Sequence, residues 1–197
     1  MENKVQNICV FCGSRTGNKV VFEQIAWDLG KLLAKKNHTL VYGAGNVGLM
    51  GVIADSVLEN GGKVTGVIPN FLVEKEVAHK GLTEIITVDS MHERKQIMAE
   101  KSDAFIALPG GFGTMDELCE ILTWSQLDLH NCPIGLINTD GYFDLLIQFF
   151  DKMVEDGFLN KVNRSLILVD KTPEGLLEQF DHYIPNKMGK WFDGEKS

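Results

Sequence analysis

The chain has no long apolar run, no excess of positive charge and no regular arrangement of cysteines. No stretch approaches the ~18 consecutive apolar residues that a membrane span requires, and the start, MENKVQNICVFCGSR, lacks the uninterrupted apolar core of a secretory signal. We therefore expect a cytoplasmic protein with no membrane partner. The net charge of −8 and the isoelectric point near 5.1 argue against a nucleic-acid partner, because phosphate backbones are held mainly by many lysines and arginines.

The cysteines and histidines also lack the spacing of metal sites. Cys9, Cys12, Cys119 and Cys132 form no two-pair zinc pattern, and no H-x-x-x-H ligand pair occurs. Cys9 and Cys12 stand three positions apart in a predicted strand, so their side chains should point to opposite faces. We predict buried, reduced thiols, no metal and no cofactor.

Short apolar runs alternate with helical patterns along 197 residues that contain no linker or low-complexity segment. Seven runs suit buried strands: NICVFC, TLVYG, KVTGVIP, LTEIITV, DAFIALPG, PIGLIN and LILVD. The helices predicted between them span roughly Val20–Lys36, Gly48–Asn60, Met91–Lys101, Met115–Leu129, Tyr142–Asp156 and Glu174–His182. The alternation predicts an α/β fold, a Rossmann-like, doubly wound, mostly parallel sheet flanked by helices. We expect one domain over residues 1–186 and a mobile tail over 187–197.

Three loops at the carboxyl ends of predicted strands are rich in glycine: CGSRTG, YGAGNVGLMG and LPGGFGT. Ligands bind at this edge of doubly wound sheets, and glycine lets the backbone approach a ligand closely. The second loop matches G-x-G-x-x-G at Gly43, Gly45 and Gly48, but the next strand ends in VIPN rather than in the acidic residue of a dinucleotide site. Glycines that serve only tight turns are the alternative for any one loop. Three such loops at one edge favour a ligand site.

The segment SMHERKQIMAEKSD combines a helix start with two cations. Ser90 and Glu93 fit a capping box, which predicts that the helix begins at Met91. Arg94 and Lys95 then fall in or just after the first turn, where the helix dipole disfavours cations by about 0.3–1 kcal/mol each. A basic pair on a solvated face is one interpretation. Together with the glycine loops we favour an anion clamp, in which Arg94 supplies a planar fork and Lys95 a point charge.

The stretch PGGFGTMDELCEILTW places two carboxylates behind a glycine-rich turn. The turn predicts a helix start whose N–H groups, from Gly111, Gly113 and Thr114, suit a phosphate. Thr114 and Glu117 also fit a T-x-x-E capping box, which requires no chemistry. If a nucleotide phosphate binds at the turn, Glu117 instead lies near the ribose, where a carboxylate stabilises the oxocarbenium-like state of sugar–base cleavage. Asp116 would then only complement the helix dipole.

These motifs together resemble the Lonely Guy family of phosphoribohydrolases, which release cytokinin bases from their riboside 5′-monophosphates. The resemblance rests on YGAGNVGLMG, MHERK, PGGFGTMDE, LTWSQLDLH and PIGLIN, and it runs from CVFCGS to about Gly157. It implies a homodimer that hydrolyses the N-glycosidic bond of a purine, cytokinin-type riboside 5′-monophosphate, with AMP as a further substrate. Arg94 and Glu117 match the family's catalytic pair.

The other predicted site residues come from this resemblance and from the glycine loops. Lys95, Glu76, Thr123 and the loop Gly110–Thr114 match nucleotide-binding positions of the family. The predicted substrate-binding residues are Glu76, Lys95, Gly110, Gly111, Phe112, Gly113, Thr114, Asp116, Thr123, Gly13, Ser14, Gly43 and Gly45.

Three departures from the family pattern and one rival function accompany the resemblance. Ala44 stands in a loop often written with three glycines, Phe112 replaces a frequent tyrosine, and Met115-Asp116 replaces a frequent Leu-Glu. The rival is a non-catalytic carrier of a phosphorylated ligand, which resembles the molybdenum-cofactor carrier proteins. Arg94 with Glu117 favours the enzyme, because a carrier has no evident need for a carboxylate at an anomeric carbon.

Overall fold

Seven strands lie side by side in one sheet, in the order β4-β3-β2-β1-β5-β6-β7. The computed structural model describes residues 5–73 and 78–185. The strands are β1 (Asn7–Phe11), β2 (Thr39–Tyr42), β3 (Lys63–Pro69), β4 (Glu84–Val88), β5 (Ala104–Ala107), β6 (Ile134–Ile137) and β7 (Ile167–Asp170). Each predicted apolar run therefore contains a strand. All neighbouring pairs run parallel, so the doubly wound α/β prediction is confirmed.

Helices connect the strands and cover both faces of the sheet. They are α1 (Val20–Lys35), α2 (Gly48–Glu59), α3 (Asn70–Val73), α4 (Met91–Glu100), α5 (Phe112–Gln126), α6 (Asp144–Glu155), α7 (Lys161–Arg164) and α8 (Pro173–Asp181). The sequence pattern predicts all of these except the four-residue α3 and α7, which are too short to carry a periodic signal. None of the described helices has the length and apolarity needed to cross a bilayer.

The core is divided by the sheet into two layers. Ile8 and Val10 of β1 pack with α1, α2 and α8, whereas Cys9 and Phe11 pack with α4, α5 and α6. Cys12, just beyond β1, belongs to the first layer. Both Cys9 and Cys12 are buried free thiols, so the predicted divergence of this pair is confirmed. Cys119 is exposed and Cys132 is only partly buried, so the prediction of buried thiols is wrong for these two, which lie outside the apolar run of β1.

The crevice that positions the site opens beside β1. This strand pairs with β2 on one side and with β5 on the other, so the connections that leave β1 and β5 run to opposite faces of the sheet. The Gly13 N–H after β1 donates to the Pro109 carbonyl after β5 at 3.0 Å. The loops CGSRTG and LPGGFGT therefore meet at this switch point.

Helix α4 begins where the sequence predicts. Its first residue is Met91, and the Ser90 hydroxyl accepts a hydrogen bond from the Glu93 N–H at 3.1 Å. The Glu93 carboxylate accepts from the Asp89 N–H at 2.9 Å, one residue before the expected partner. The capping residues thus hold the helix start that presents Arg94 to the interior.

Helix α5, by contrast, begins at Phe112 rather than at Met115, so the predicted Thr114–Glu117 capping box is wrong. Gly111 occupies the N-cap position with φ −98° and ψ −152° and provides no side-chain cap. Thr114 is already the third helical residue, and the first turn holds no acidic residue. The predicted dipole role of Asp116 is wrong as well, because the dipole acts mainly within the first turn.

The predicted tail, 187–197, lies outside the described residues. The extent of a single domain, 1–186, stays a prediction, with the described strands all in one sheet.

Candidate active site

The glycine-rich turn before α5 is held tightly from behind. A Cβ atom on Gly110 would lie 2.1 Å from the Thr114 hydroxyl and 2.9 Å from the Gly13 nitrogen, so only glycine fits there. Thr114 is 3% exposed. Gly111 and Gly113 meet no such obstruction, and the first-turn N–H groups lack intrahelical acceptors. The turn therefore presents uncapped donors at a positive helix end, an arrangement that suits an anion.

The Arg94 guanidinium is buried at 6% exposure and bonds to two strand ends. Its Nε donates to the Val67 carbonyl of β3 at 3.1 Å, and its Nη2 donates to the Gly43 carbonyl after β2 at 3.0 Å. Its Nη1 lies 3.7 Å from the Met91 sulfur. Arg94 thus clamps the loop after β2 to its neighbour strand, a contact that sequence reasoning missed.

Two residues of the loop after β2 show the effect of this clamp. A Cβ atom on Gly43 would lie 1.8 Å from Arg94 Nη2, so the guanidinium occupies the space that a side chain would need. Ala44 has φ 61°, a left-handed conformation that costs an L-residue about 1–2 kcal/mol. Glycine at position 44 would adopt this conformation without strain.

Lys95 connects α4 to α5. Its Nζ lies 3.1 Å from Asp116 Oδ2 and 3.0 Å from Glu120 Oε1, with the lysine side chain 11% exposed. Partial burial acts to lower the pKa of Lys95, but the hydrogen bonds that its ammonium donates to Glu120 and Asp116 outweigh this effect, so the pKa is raised. The ammonium is therefore charged and held between two carboxylates that flank Glu117 in the chain.

The two predicted catalytic residues, Arg94 and Glu117, both influence the pKa of the buried Cys9 thiol. Burial raises the pKa of Cys9 well above its usual range, the Glu117 carboxylate raises it further, and the Arg94 guanidinium lowers it. Glu117 and Lys95 also line one small cleft, together with Phe11, Ala99, Glu120, Ile121 and Trp124. Helices α4 and α5, which carry Arg94, Lys95 and Glu117, pack on the same face of the sheet, and the cleft brings Lys95 and Glu117 together.

The other predicted residues surround this cluster at varying distance. Ser14 is exposed at the switch point, and Phe112 is 97% exposed beside it on the first turn of α5. Thr123 lies further along α5, where its hydroxyl donates to the Cys119 carbonyl at 2.7 Å. Glu76 lies outside the described residues. Their substrate contacts stay predictions.

Gly45 lies in the loop after β2 and forms a bridge outside the seven-stranded sheet. It forms an antiparallel bridge with Ala78, and the His79 N–H donates to the Ala44 carbonyl at 3.0 Å. His79 Nε2 lies 2.9 Å from Asp55 Oδ1 of α2. Ala78 and His79 are therefore anchored on the loop after β2.

Sequence reasoning also missed Tyr142, which follows the turn Thr139–Gly141 after β6. Its hydroxyl donates to the Gly110 carbonyl at 2.5 Å. The sequence feature that could have indicated Tyr142 is an aromatic residue directly after the TDG turn, which follows the carboxyl end of a strand.

The residues of this site belong to a sequence family that extends over most of the chain. A family model described as "possible lysine decarboxylase" matches residues 50–180. The cytokinin riboside 5′-monophosphate phosphoribohydrolase LOG1 of Arabidopsis thaliana is 45% identical over 185 residues, which cover 94% of this chain and 87% of that protein. The chain belongs to the Lonely Guy family. A probable member of the same family from Oryza sativa, LOGL2, is also 45% identical, over 94% of this chain and 76% of its own length.

Solved structures resemble this Lonely Guy chain in fold. A molybdenum cofactor binding protein from Rippkaea orientalis has a TM-score of 0.68 at 22% identity, covering 91% of this chain and 97% of that one. A molybdenum cofactor carrier protein from Chlamydomonas reinhardtii has a TM-score of 0.69 at 21% identity, again covering 91% of this chain and 97% of that one. At these identities the likeness concerns the fold alone, which is a Rossmann-like α/β sheet.

Arg94→Lys should lower both stability and activity. A lysine ammonium cannot reach two carbonyls on different strands from one rigid plane, and a buried carbonyl left without a donor costs about 1–3 kcal/mol. Chemical denaturation would measure the free energy of unfolding. Arg164→Lys is the matched control, because Arg164 bonds to Asp151 at the surface and such pairs contribute about 0–1 kcal/mol. Equal stability of the Arg94 variant and wild type would refute the clamp.

Lys95→Met should lower the thermal midpoint at neutral pH, because Asp116 and Glu120 lose the ammonium that they share. The folded pKa of Lys95 is raised above its ordinary value of 10.5, so the stabilisation is complete below that pH and is lost as the pH rises through the folded pKa. The difference from wild type should therefore shrink above about pH 10.5. Lys36→Met, which removes an exposed pair with Asp181, is the control. A difference that does not change with pH up to 11 would contradict the ion-pair role.

Proposed function

We propose that this chain hydrolyses the N-glycosidic bond of a purine, cytokinin-type riboside 5′-monophosphate and releases free base and ribose 5-phosphate. AMP is a further substrate in this proposal. Water adds to C1′ of the ribose, the C1′–N bond breaks with its electron pair on the base, and the base nitrogen takes a proton. The observation that carries the proposal is the placement of Glu117 on the same helix as the uncapped Gly111–Thr114 turn, and in one cleft with Lys95, in a Lonely Guy chain.

In this mechanism Glu117 stabilises the oxocarbenium-like transition state and accepts a proton from water. The phosphate binds at the turn Gly110–Thr114, where it accepts hydrogen bonds from the first-turn N–H groups. Arg94 is the second catalytic residue in this proposal; its Nε and Nη2 bond the two carbonyls, and its Nη1 lies 3.7 Å from the Met91 sulfur. Lys95 keeps α4 and α5 at a fixed separation through Asp116 and Glu120, which fixes the helix that carries Glu117.

Two broader properties belong to the same proposal. We expect a homodimer, since Trp124 and Leu129 line a groove of about 550 Å³ between α4 and the end of α5, and Leu129 is 67% exposed. We expect a cytoplasmic protein, because Cys9 and Cys12 are free thiols and disulfides are rare in that compartment.

The decarboxylase description fits the site less well. A pyridoxal-phosphate enzyme needs a lysine that gives up its proton to form a Schiff base. Lys95 is held as an ammonium by two carboxylates, and its pKa is raised. This lysine is therefore suited to an ion pair rather than to nucleophilic attack.

One incubation separates the enzyme from the carrier. The protein is mixed with AMP and with isopentenyladenosine monophosphate, and free base and ribose 5-phosphate are followed by chromatography. Release of both products in equal amounts supports the proposal. Tight binding of either nucleotide with no base released would support a carrier instead.

The monophosphate should be cleaved far better than the matching nucleoside. Loss of charge-assisted hydrogen bonds to the phosphate costs about 1.5–3 kcal/mol, which corresponds to roughly ten- to 150-fold in kcat/KM. The comparison uses AMP against adenosine at equal enzyme concentration. Equal turnover of the two would refute the assignment of the glycine-rich turn to phosphate.

Glu117→Gln should reduce kcat by on the order of 10²-fold or more while nucleotide binding is retained, because the carboxylate charge acts in the transition state. The side chain is not the partner of a helix cap, since α5 begins at Phe112, so no capping loss is expected. Glu178→Gln on the exposed side of α8 is the matched control. Base release by the Glu117 variant at nearly the wild-type rate would place the catalytic carboxylate elsewhere.

A further inference from the structure

The peptide plane between Gly110 and Gly111 must keep one orientation if the Gly111 N–H is to bind an anion. The peptide between Gly110 and Gly111 joins two glycines, and glycine restricts its own φ and ψ very little. In a trans peptide the carbonyl and the next N–H point in opposite directions. If this peptide flipped, a carbonyl oxygen would replace the Gly111 N–H and would repel a bound anion. Something must hold the carbonyl in place.

Tyr142 meets this requirement. Its hydroxyl donates to the Gly110 carbonyl at 2.5 Å, across 32 residues of sequence. The preceding carbonyl, of Pro109, is held by the Gly13 N–H at 3.0 Å. Both carbonyls are thus hydrogen-bonded, and the bond to Gly110 holds its carbonyl opposite to the Gly111 N–H of the same trans peptide.

Two ring contacts orient the Tyr142 side chain, although the residue is 43% exposed. Its ring packs edge-on against Phe22, with ring centroids 5.7 Å apart, and against Phe143 at 5.0 Å. The buried Asn138 side chain fixes the turn below it by accepting from the Phe143 N–H at 2.8 Å and donating to Asp144 at 2.7 Å. A hydroxyl on so constrained a ring can select one orientation of a flexible peptide.

The position of Tyr142 also matches this role. Together with Gly13, Arg15, Phe22, Gly110 and Gly111 it lines a cleft of about 300 Å³ at the switch point. Glu117 and Lys95 line a different cleft, against α4. Tyr142 therefore lines the cleft beside the glycine-rich turn, whereas Glu117 and Lys95 line the other cleft.

We propose that Tyr142 is a positioning residue for recognition of the 5′-phosphate, acting through its hydrogen bond to Gly110. The proposal rests on the proposed function insofar as the ligand is a nucleoside monophosphate. It assigns Tyr142 to affinity for the phosphate group and assigns it no part in bond cleavage.

Tyr142→Phe tests this assignment, because the variant keeps the ring contacts and loses only the hydroxyl. Loss of one neutral hydrogen bond should weaken the binding of AMP and the binding of inorganic phosphate by a similar factor, roughly three- to tenfold. Binding of adenine, which has no phosphate, should not change. In the kinetic assay KM for AMP should rise by the same factor, with kcat within about twofold of wild type.

Tyr183→Phe is the matched control, since it makes the same change at a partly buried tyrosine just beyond α8. Calorimetric affinities for AMP, phosphate and adenine are measured on wild type and both variants, together with thermal midpoints. The affinities report on Tyr142 even if wild type releases no base, so failure of the proposed function would be seen separately. Unchanged affinity for AMP and phosphate in Tyr142→Phe would overturn the proposal. It would also be overturned if the affinity for adenine fell by the same factor as the affinity for AMP.

Phe22→Leu provides a second route if Tyr142→Phe does not fold. It keeps the hydroxyl but removes the ring edge that orients it, so phosphate affinity should fall while adenine affinity stays. Unchanged phosphate affinity in that variant would also overturn the proposal.

Discussion

The site depends on the position of β1 between β2 and β5. Because β1 hydrogen-bonds to both neighbours, the chain winds in two directions from it, and the helices that follow β1 and β5 lie on opposite faces of the sheet and leave a gap between them. Helix α5 starts over that gap with no side-chain cap. A strand order without this reversal would leave no crevice for the glycine-rich turn to face.

Glycines at this edge make room for the protein's own side chains as well as for a ligand. Gly43 accommodates the Arg94 guanidinium, and Gly110 accommodates the Thr114 hydroxyl. Gly111 and Gly113 are unobstructed and lie where a ligand would approach. The first two glycines therefore stiffen the loops and the second two leave the donors open, which favours a site organised before its ligand arrives.

Two cations of the site, Arg94 and Lys95, are already engaged within the protein. Arg94 donates to two main-chain carbonyls, and Lys95 is shared by Asp116 and Glu120. In a chain of net charge −8, this arrangement shifts much of the task of holding an anion to main-chain N–H groups at the start of α5. These groups keep their partial charge at every pH, whereas a lysine held between carboxylates offers little net charge to a ligand.

The sequence alone determined the features that depend on near neighbours in the chain. Strands buried on both faces read as continuous apolar runs, Ser90 and Glu93 mark the start of α4, and the motifs MHERK and PGGFGTMDE identify the family. The sequence did not predict the first residue of α5, because the N-cap residue Gly111 has no side chain and so leaves no capping pattern in the sequence. The partners of Arg94, 27 and 51 residues away, and of Tyr142, 32 residues away, were decided only by the tertiary structure. Local patterns report on contacts within a turn or a strand, whereas strand order in the sheet determines which distant carbonyl comes within reach of a given donor.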